Sequence, residues 1–332
     1  MRDAKPAMKL RMGLCSLLLL ASSVQAAELL TSSESAGLLK RMAVSARILN
    51  YSGVYLYHHT DVMETFRLVH AYDAGGEQER RESLDGIPRE FVRNNDQITC
   101  YLPNVRPFML DRRAANKFFP GVIPDQILDV LNNYSFKRLG VERVAGYECQ
   151  SVLLEPKDKL RNPHQLCLET NTGLLLKSTM FAPERGDLLE HFVFTQLDIG
   201  GPIDKRALKS VLASKALPLE PQPLPKALPA PLGGASQFVM ANLPSGFRLV
   251  KEALSKLPGK ADPVQHFLYS DGMATVSVFV EPASSNPVAL PLSRSNKTVN
   301  FYSRQADGWR VTALGEVPLR TVQLFTQAFS VR

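Results

Sequence analysis

The apolar residues of this chain first recur at a helical period and then alternate as they do in strands. Over residues 35–50 apolar side chains return at steps of three and four, which predicts an amphipathic helix. Over residues 51–102 apolar and polar side chains alternate, and Gly-Gly, Asp-Gly and Asn-Asp pairs interrupt the alternation. We therefore expect four or five short antiparallel strands in meander order there. The helical face consists of Leu38, Leu39, Met42, Ala46 and Leu49.

The same two periods predict the elements in the rest of the chain. A short helix capped by Asp125 is expected to run through Leu131, and a longer helix is expected from Asp204 to about Lys215. A final helix follows Pro318. Strands are expected at residues 135–144, 147–155, 164–169, 174–181 and 188–198, and again at 237–241, 247–254, 264–269, 273–281, 299–304 and 309–316.

The segment 269–282, YSDGMATVSVFVEP, combines a turn signal with an unbroken strand. Asp271 and Gly272 can adopt the positive φ angles of a type I′ turn, and the β-branched and aromatic run that follows suits a pleated strand. Because side chains alternate between the two faces of a strand, three valines share one face. They are Val276, Val278 and Val280. We predict a well-buried hairpin that serves as scaffold and carries no binding chemistry.

A proline-rich stretch divides the chain. Six prolines lie between Leu217 and Gly234, and few residues there can hold a helix or a central strand position. Such a stretch is typical of a partly extended linker. We therefore expect an N-terminal domain over residues 27–215, a linker over 216–235 and a C-terminal domain over 236–332.

Residues 1–26 have the features of a secretory signal peptide. Basic residues precede an apolar run at residues 12–24, and small residues near Ala26 suit cleavage. The run is too short to span a bilayer, which needs about 20 residues, and no later segment is long and apolar enough. We expect the exported chain to begin near Ala27 and to lack a membrane span.

The charge of the chain gives little guidance to its partners. The formal net charge is +7, and part of this excess lies in the basic leader. Such an excess is typical of a solvated surface, and the alternative is attraction to acidic partners or lipid phosphates. The paired basics lie apart and lack interleaved aromatics that would stack bases, so nucleic acid is not expected as a partner. These pairs are Arg80-Arg81, Arg112-Arg113 and Lys137-Arg138.

Three cysteines remain once the leader is removed. Cys149 and Cys167 lie at equal distances from Asp158, in the middle of a polar stretch, so a hairpin that turns there would place them opposite each other. An oxidising compartment permits such a bridge. We predict a disulfide between Cys149 and Cys167, with Cys100 left over.

The sequence offers few residues for catalysis. His58, His59, Asp61 and Glu64 are the densest cluster, but neighbouring strand residues point to opposite faces, so His58 and His59 should not share a metal. His164 and Cys167 also lie on opposite faces of a predicted strand. No P-loop, dinucleotide fingerprint, nucleophile elbow or zinc-protease motif is present. We expect neither an enzyme nor a bound metal or cofactor, although carboxylate pairs remote in the chain leave an enzyme as a third alternative.

Two groups of motifs carry a resemblance to a known family. The hairpin segment 269–282, with LGEVP at 314–318 and Thr321-Val322, resembles the C-terminal domain of the RseB/MucB family, which comprises periplasmic regulators of the envelope-stress sigma factor. The first domain is similar to that family at YSGVYLY (51–57), His70, Leu84-Asp85-Gly86, Arg89-Glu90 and CYLP (100–103). The proline-rich stretch is longer than the resemblance would lead us to expect, and Trp309 stands where a tyrosine is usual.

The resemblance implies both a fold and a function. The fold is α+β and mostly antiparallel β: a curved half-barrel like that of the lipoprotein carriers, wrapped around helices, plus a smaller mixed α/β C-terminal domain. The implied function is to bind the periplasmic domain of a membrane anti-sigma factor of the RseA/MucA kind, to shield it from proteolysis, and to release it on a lipid or lipopolysaccharide signal. A periplasmic lipid or lipoprotein carrier is the alternative. The choice between monomer and homo-oligomer stays open.

The apolar segment 108–119 has two interpretations. It either packs across the open edge of the curved sheet or forms a flap over an acyl-chain cavity, with basic residues at the rim to meet phosphates. On the second interpretation the cavity candidates are Val54, Leu56, Phe66, Leu68, Phe108, Met109, Leu110, Phe118 and Phe119. The phosphate-rim candidates are Arg106, Arg112, Arg113 and Lys117.

A groove between the two domains is the expected site for a protein partner. Polar and aromatic side chains there could anchor a peptide, and exposed strand faces without a partner are the equally weighted alternative. The candidates are Arg89, Arg93, Tyr302, Arg304, Trp309 and Glu316.

Overall fold

The structure is a computed structural model that describes residues 28–110, 126–216, 238–255, 262–283, 292–295 and 298–331. The predicted signal peptide lies outside these ranges, as does the predicted linker apart from Ala216.

Within residues 28–110 and 126–216, twelve strands form one antiparallel sheet. They are β1 (Glu28–Leu29), β2 (Tyr51–His59), β3 (Val62–Asp73), β4 (Gly76–Ser83), β5 (Glu90–Asn94), β6 (Gln97–Tyr101), β7 (Phe108–Leu110), β8 (Tyr134–Val144), β9 (Tyr147–Pro156), β10 (His164–Glu169), β11 (Leu175–Phe181) and β12 (Leu188–Ile199). Their order across the sheet is β1-β8-β9-β10-β11-β12-β2-β3-β4-β5-β6-β7. The predicted meander is therefore confirmed, because β2 to β6 are neighbours in chain order.

Helix α1 (Ser32–Ile48) starts earlier than the apolar pattern predicts. The Thr31 hydroxyl accepts a hydrogen bond from the amide of Glu34, and the Glu34 carboxylate accepts one from the amide of Thr31. This capping box satisfies two amides that have no partner within the helix. It places the first helical residue at Ser32, before the apolar stripe begins.

The first sheet curves around α1. Leu39, near the middle of the helix, belongs to a buried cluster with Leu154 of β9, whereas Ala46 in the last turn belongs to a cluster with Leu68 of β3. Strands from two separate regions of the sheet therefore contact one helix. This is the half-barrel wrapped around helices that the sequence predicted.

The second helix is short. Helix α2 (Ile127–Asn133) begins after Gln126, whose side chain makes no capping hydrogen bond, and it ends at Asn133 instead of Leu131. The predicted cap, Asp125, lies outside the described residues. The end of α2 leads directly into β8.

The predicted helix from Asp204 to Lys215 is wrong, because the chain forms two separate 3₁₀ turns there. They are Lys205–Leu208 and Leu212–Ser214. The Asp204 side chain caps the first turn by accepting from the amide of Arg206. The Glu90 carboxylate of β5 accepts from the amides of Val211 and Leu212, each at 3.2 Å. Because these two amides donate to Glu90, they do not donate to carbonyls of a preceding helical turn. A continuous helix therefore does not form here.

We expect Glu90→Gln to destabilise the first sheet by about 2 kcal/mol at pH 7, because a buried charge-assisted contact is lost. Burial raises the pKa of Glu90, but the Arg80 guanidinium at 2.6 Å and the Leu212 amide outweigh burial and hold the pKa below its ordinary value. Because the pKa of Glu90 is lower in the folded state, its ionised carboxylate stabilises the fold at any pH above the pKa of the unfolded state. This stabilisation is lost as the pH falls through the pKa of the folded state.

The difference between wild type and Glu90→Gln should therefore shrink below about pH 4.5. Urea unfolding at pH 7 and at pH 3.5 measures it. Glu82→Gln is the matched control, since Glu82 also pairs with Arg80 but is more exposed. An equal loss in both variants would show that burial of Glu90 is not the cause.

A second antiparallel sheet forms the C-terminal part. Its six strands are β14 (Arg248–Ser255), β15 (Val264–Ser270), β16 (Thr275–Pro282), β17 (Leu292–Ser295), β18 (Asn300–Ala306) and β19 (Trp309–Gly315), in the order β14-β15-β16-β19-β18-β17. Helix α3 (Leu319–Gln327) packs on one face, where Phe325 and the three predicted valines share a buried cluster. A two-stranded sheet joins β13 (Phe238–Met240) to β20 (Phe329–Val331). This is the smaller mixed domain that the sequence predicted.

The β15–β16 hairpin exists, but its turn is not type I′. Four residues, 271–274, connect the strands, and of the two predicted turn residues only Gly272 has a positive φ, +98°. One oxygen of the Asp271 carboxylate accepts from the amides of Met273, at 2.9 Å, and Ala274, at 2.7 Å. A side chain therefore closes the turn in place of backbone geometry alone.

Candidate functional site

The predicted lipid-cavity residues of β2 and β3 do not share one surface. Tyr55 pairs with Phe66, so these two side chains lie on the same face, whereas Val54 pairs with Arg67 on the other. Leu56 lies on the face of Val54, and Leu68 on the face of Phe66. Phe66 is 2% exposed and Leu68 is fully buried in a closed core. The four candidates therefore do not line one cavity.

The other cavity candidates lie at the edge of the sheet or outside the described residues. Phe108 and Met109 lie on the edge strand β7 and are 45% and 66% exposed. Arg106 is exposed just before β7. Of Leu110 only the backbone is described. The candidates Phe118, Phe119, Arg112, Arg113 and Lys117 lie outside the described residues.

The buried face of β4 and β5 carries charges as well as apolar groups. Arg81 is 1% exposed and its Nε lies 2.7 Å from the Glu79 carboxylate, while Arg93 pairs with Glu77 at 3.3 Å. Charged side chains are tolerated inside a protein when each is paired with an opposite charge. Burial also raises the pKa of Tyr55, which keeps this phenol neutral. This wall of the half-barrel is therefore an ionic network and not an apolar acyl-chain surface.

Helix α1 contributes to two of the cavities that the described residues form. The larger has a volume of about 620 Å³ and lies between the second half of the helix, the β3–β4 turn and α2. Val44 and Ile48 form apolar walls. Lys40 and Arg47 bring positive charge and Glu77 and Asp96 bring negative charge, and the Arg47 Nε lies 3.8 Å from the Glu77 carboxylate. The smaller, of about 460 Å³, lies beside the first half of the helix near Arg41. Neither is lined by the predicted cavity residues of β2, β3 or β7.

Most predicted partner-binding residues lie within one sheet or the other, not between them. Arg89 pairs with Glu64 and stacks on Phe66, and Arg93 is only 7% exposed. Trp309 contacts Phe238 with ring centroids 4.8 Å apart.

The remaining three candidates divide between the second sheet and its border with the first. The Arg304 Nε donates to the carbonyl of Thr326 in α3 at 2.8 Å, and Tyr302 packs against the core of the second sheet. Glu316 contacts the other sheet, since its carbonyl accepts from Asn162 at 3.1 Å.

A buried ion pair joins the two sheets. The Arg161 Nε, in the loop between β9 and β10, lies 2.5 Å from the Asp271 carboxylate in the β15–β16 turn, and both side chains are fully buried. The Arg161 Nη2 donates to the carbonyl of Ser245 at 2.5 Å, and its guanidinium lies 4.8 Å from the ring centroid of Phe247. The Arg161 Nη1 also pairs with Asp158 of the same loop. One arginine from a loop of the first sheet therefore inserts into the second sheet.

Other side chains of the first sheet bond to the same turn. The Tyr134 hydroxyl lies 3.4 Å from the Asp271 carboxylate, and the Asn133 amide donates to the carbonyls of Gly246 and Asp271, each at 3.3 Å. Burial raises the pKa of Asp271, whereas Arg161 and two backbone amides favour the ionised form. Beside Tyr134, burial lowers the pKa of His164 to about 4, so this ring is neutral at pH 7.

Further contacts surround this centre. Arg248 pairs with Asp129 of α2 at 2.6 Å in a more exposed position. The hydroxyls of Thr298 and Thr321 donate to carbonyls of the first sheet, each at 2.8 Å. The two sheets thus share an interface with a buried polar centre and a more open border.

No pattern in the sequence predicts this interface. Arg161 lies in a polar stretch that predicts only a turn, and Asp271 has the composition expected of a solvent-exposed hairpin. The two positions lie 110 residues apart in the chain. Their pairing depends on how the two sheets pack, and periodicity cannot reveal that.

The predicted disulfide is present. Cys149 of β9 and Cys167 of β10 are bonded, and Cys100 is free and buried. The two bonded residues are diagonal neighbours on adjacent strands. The loop between β9 and β10, which the bond closes, carries Arg161.

The described residues contain no group of three or more His, Cys, Asp or Glu side chains that could hold a metal ion. His58 lies opposite His191 on β12, and His59 follows it on the other face of the strand. In the same ranges, no helix has the length and apolar content needed to cross a membrane.

Comparisons with known proteins decide the family. The model of the MucB/RseB N-terminal domain matches residues 34–212, and that of the MucB/RseB C-terminal domain matches residues 233–330. The chain belongs to the MucB/RseB family. A relative named sigma factor AlgU regulatory protein MucB, from Pseudomonas aeruginosa, is 30% identical over 93% of this chain and 94% of its own length. A sigma-E factor regulatory protein RseB from Haemophilus influenzae is 27% identical over 96% of each chain.

Solved structures of the MucB/RseB family agree with the fold. A complex of Pseudomonas aeruginosa MucA and MucB contains a chain that is 25% identical, with a TM-score of 0.72 over 90% of this chain and 99% of the other. A crystal structure of MucB is 27% identical, with a TM-score of 0.61 over 90% and 98%. Both likenesses extend over the two sheets described above. Curated relatives in this family are named as regulatory proteins.

Proposed function

We propose that this chain is a periplasmic regulator that binds the periplasmic domain of a membrane-bound anti-sigma factor. The bound chain shields the anti-sigma factor from the protease that begins its degradation, so the envelope-stress sigma factor stays inactive. The observation that carries this proposal is the match to both MucB/RseB domains, together with the likeness to MucB in a complex with MucA.

The described geometry favours binding over catalysis. The buried charged groups are engaged in ion pairs and hydrogen bonds within the fold, as Arg81 with Glu79 and Arg161 with Asp271 illustrate. A substrate would have to break such contacts to reach them. The two sheets pack against each other through several contacts, so one protein segment could bind to both.

We further propose that an anionic lipid lowers the affinity for the anti-sigma factor by entering the larger cavity beside α1. Val44 and Ile48 can contact an acyl chain, and Lys40 can meet the lipid phosphate, whereas Arg47 already pairs with Glu77. Each buried methylene contributes ~0.8 kcal/mol, so a partly inserted chain can shift a conformational equilibrium. By linkage, anti-sigma binding must weaken lipid binding by the same factor.

The test is calorimetric titration of the anti-sigma periplasmic domain into the exported chain, with and without lipopolysaccharide. We expect binding without lipid and at least about tenfold weaker binding with it, a coupling of about 1.4 kcal/mol. Absence of binding in both conditions would refute the proposed partner. Equal binding in both would refute only the lipid switch.

A pair of variants locates the lipid site. Val44→Asp adds a negative charge to an exposed position in the larger cavity and should abolish the lipid effect while leaving anti-sigma binding unchanged. Val141→Asp, an exposed position on β8 that borders neither cavity, is the control. A lipid effect that survives in Val44→Asp would place the lipid elsewhere. Lipid transfer between vesicles by the full chain would instead support the carrier alternative.

A further inference from the structure

We propose that the Asp271 turn is an interdomain latch: one carboxylate both closes the β15–β16 turn and holds the C-terminal domain on the N-terminal domain through Arg161. The scaffold hairpin is then also the contact that sets how firmly the two domains dock.

The two carboxylate oxygens of Asp271 have separate tasks. Oδ1 accepts from the amides of Met273 and Ala274 within the turn, whereas Oδ2 faces Arg161 and Tyr134 of the N-terminal domain. The conformation of the turn and the docking of the domains thus depend on the same side chain. A displaced Arg161 would leave Oδ2 buried without its cation.

The backbone around the latch is shaped for close approach. Gly272 has a φ of +98°, and a Cβ there would lie 2.8 Å from the Val130 side chain and 3.0 Å from the carbonyl of Gln126 in the α2 region. Gly246 has a φ of +77°, and a Cβ there would overlap Asn133 and Arg161. Two glycines of the C-terminal domain therefore admit the N-terminal domain at positions where other residues would be both strained and obstructed.

The burial of the pair determines its effect on docking. Arg161 and Asp271 are each fully buried in the docked arrangement, whereas separation of the domains would return both to water. Loss of Arg161 leaves Asp271 as an unpaired buried charge in the docked state alone, whereas loss of Asp271 leaves Arg161 with only the partly exposed Asp158 of its own loop. Either change therefore shifts the equilibrium toward separation. The Asp129–Arg248 pair spans the same border, but its side chains are 24% and 42% exposed. Loss of an exposed pair changes little.

The test is amide hydrogen exchange of the full exported chain, read at residues 158–163 and 243–248, which cover the two sides of the latch. Asp271→Asn retains an oxygen that can close the turn and removes the negative charge that faces Arg161. We expect exchange at both segments to rise about a hundredfold in Asp271→Asn, because local opening controls protection. The matched Asp129→Asn variant should stay within about twofold of wild type.

A second pair of variants separates a latch from general destabilisation. Arg161→Met should raise exchange at the same segments, because it leaves the Asp271 carboxylate buried without a cation. The double variant Arg161→Met/Asp271→Asn should exchange more slowly than Arg161→Met, since that unpaired carboxylate is gone. Exchange in β2 and β3 should be unchanged throughout. Wild-type exchange in both single variants, equal effects of Asp129→Asn and Asp271→Asn, or no recovery in the double variant would each overturn the proposal.

The latch has a consequence that rests on the proposed function. If the anti-sigma factor binds the docked arrangement, Asp271→Asn should weaken its binding by no more than the factor by which docking falls. The exchange measurement involves no partner. If the exchange results are as predicted but the anti-sigma factor does not bind, only the proposed function is refuted.

Discussion

Phe325→Ala is expected to destabilise the C-terminal domain by about 3–5 kcal/mol and to abolish anti-sigma binding. Phe325 is fully buried on α3, and its ring lies 5.2 Å from that of Phe247 and 5.1 Å from that of Tyr269. Truncation leaves a cavity under the only helix described in this domain. Because Phe247 also packs on the Arg161 guanidinium, the loss should extend to the domain interface.

Thermal unfolding followed by circular dichroism measures this effect, and the titration described above measures the effect on binding. Gln327→Ala is the control, since it lies on the same helix and is exposed. We expect two transitions in Phe325→Ala, with the C-terminal domain unfolding first. A single unshifted transition would contradict the packing described here, and full anti-sigma binding in a variant with an unfolded C-terminal domain would exclude that domain from the binding site.

Removal of the disulfide in Cys149→Ala/Cys167→Ala is expected to destabilise the N-terminal domain by about 3 kcal/mol. The bond closes a loop with a sequence separation of 18 residues, and both cysteines are fully buried. The main effect comes from the unfolded chain, which gains freedom when the loop opens. The same loop carries Arg161, so the latch residues should also exchange faster.

Urea unfolding without reductant measures the loss, and a reductant should lower the stability of wild type to that of the variant. Cys100→Ala is the matched control, because Cys100 is buried but free. It should cost about 1 kcal/mol and show no dependence on reductant. An equal loss in both variants would mean that side-chain packing, not the covalent bond, stabilises this region.

Local patterns were sufficient to predict most of the strands. The meander from β2 to β6 and the run from β8 to β12 follow from alternation and turn residues, which depend only on neighbours in sequence. The 3₁₀ turns near Leu212 could not be predicted in this way, because their amides bond to Glu90 on β5. A tertiary contact there overrides the helical pattern.

Alternation also does not say which face of a strand lies inside. On β2 both faces carry apolar or aromatic residues. Val54 and Leu56, which the sequence predicts to line a cavity, lie on the opposite face from Tyr55. The pairing of Tyr55 with Phe66 on the next strand determines which face of β2 is buried. The interior of a curved sheet is a property of the assembled strands.

The interface between the domains could not be predicted from the sequence for a related reason. Asp271 was predicted as part of a scaffold hairpin, and the hairpin is indeed present. Its partner Arg161 lies in a loop of the other domain, far away in sequence. A turn residue that is fully buried and ion-paired looks, in sequence, the same as one that is exposed to water.

The most direct test of the central claim is a protection assay with the protease that begins degradation of the anti-sigma factor. Its periplasmic domain is incubated with the protease, in the presence or absence of the exported chain and of lipopolysaccharide. The account predicts slow cleavage with the chain, fast cleavage without it, and fast cleavage again when lipopolysaccharide is added. Cleavage at the same rate with and without the chain would contradict it.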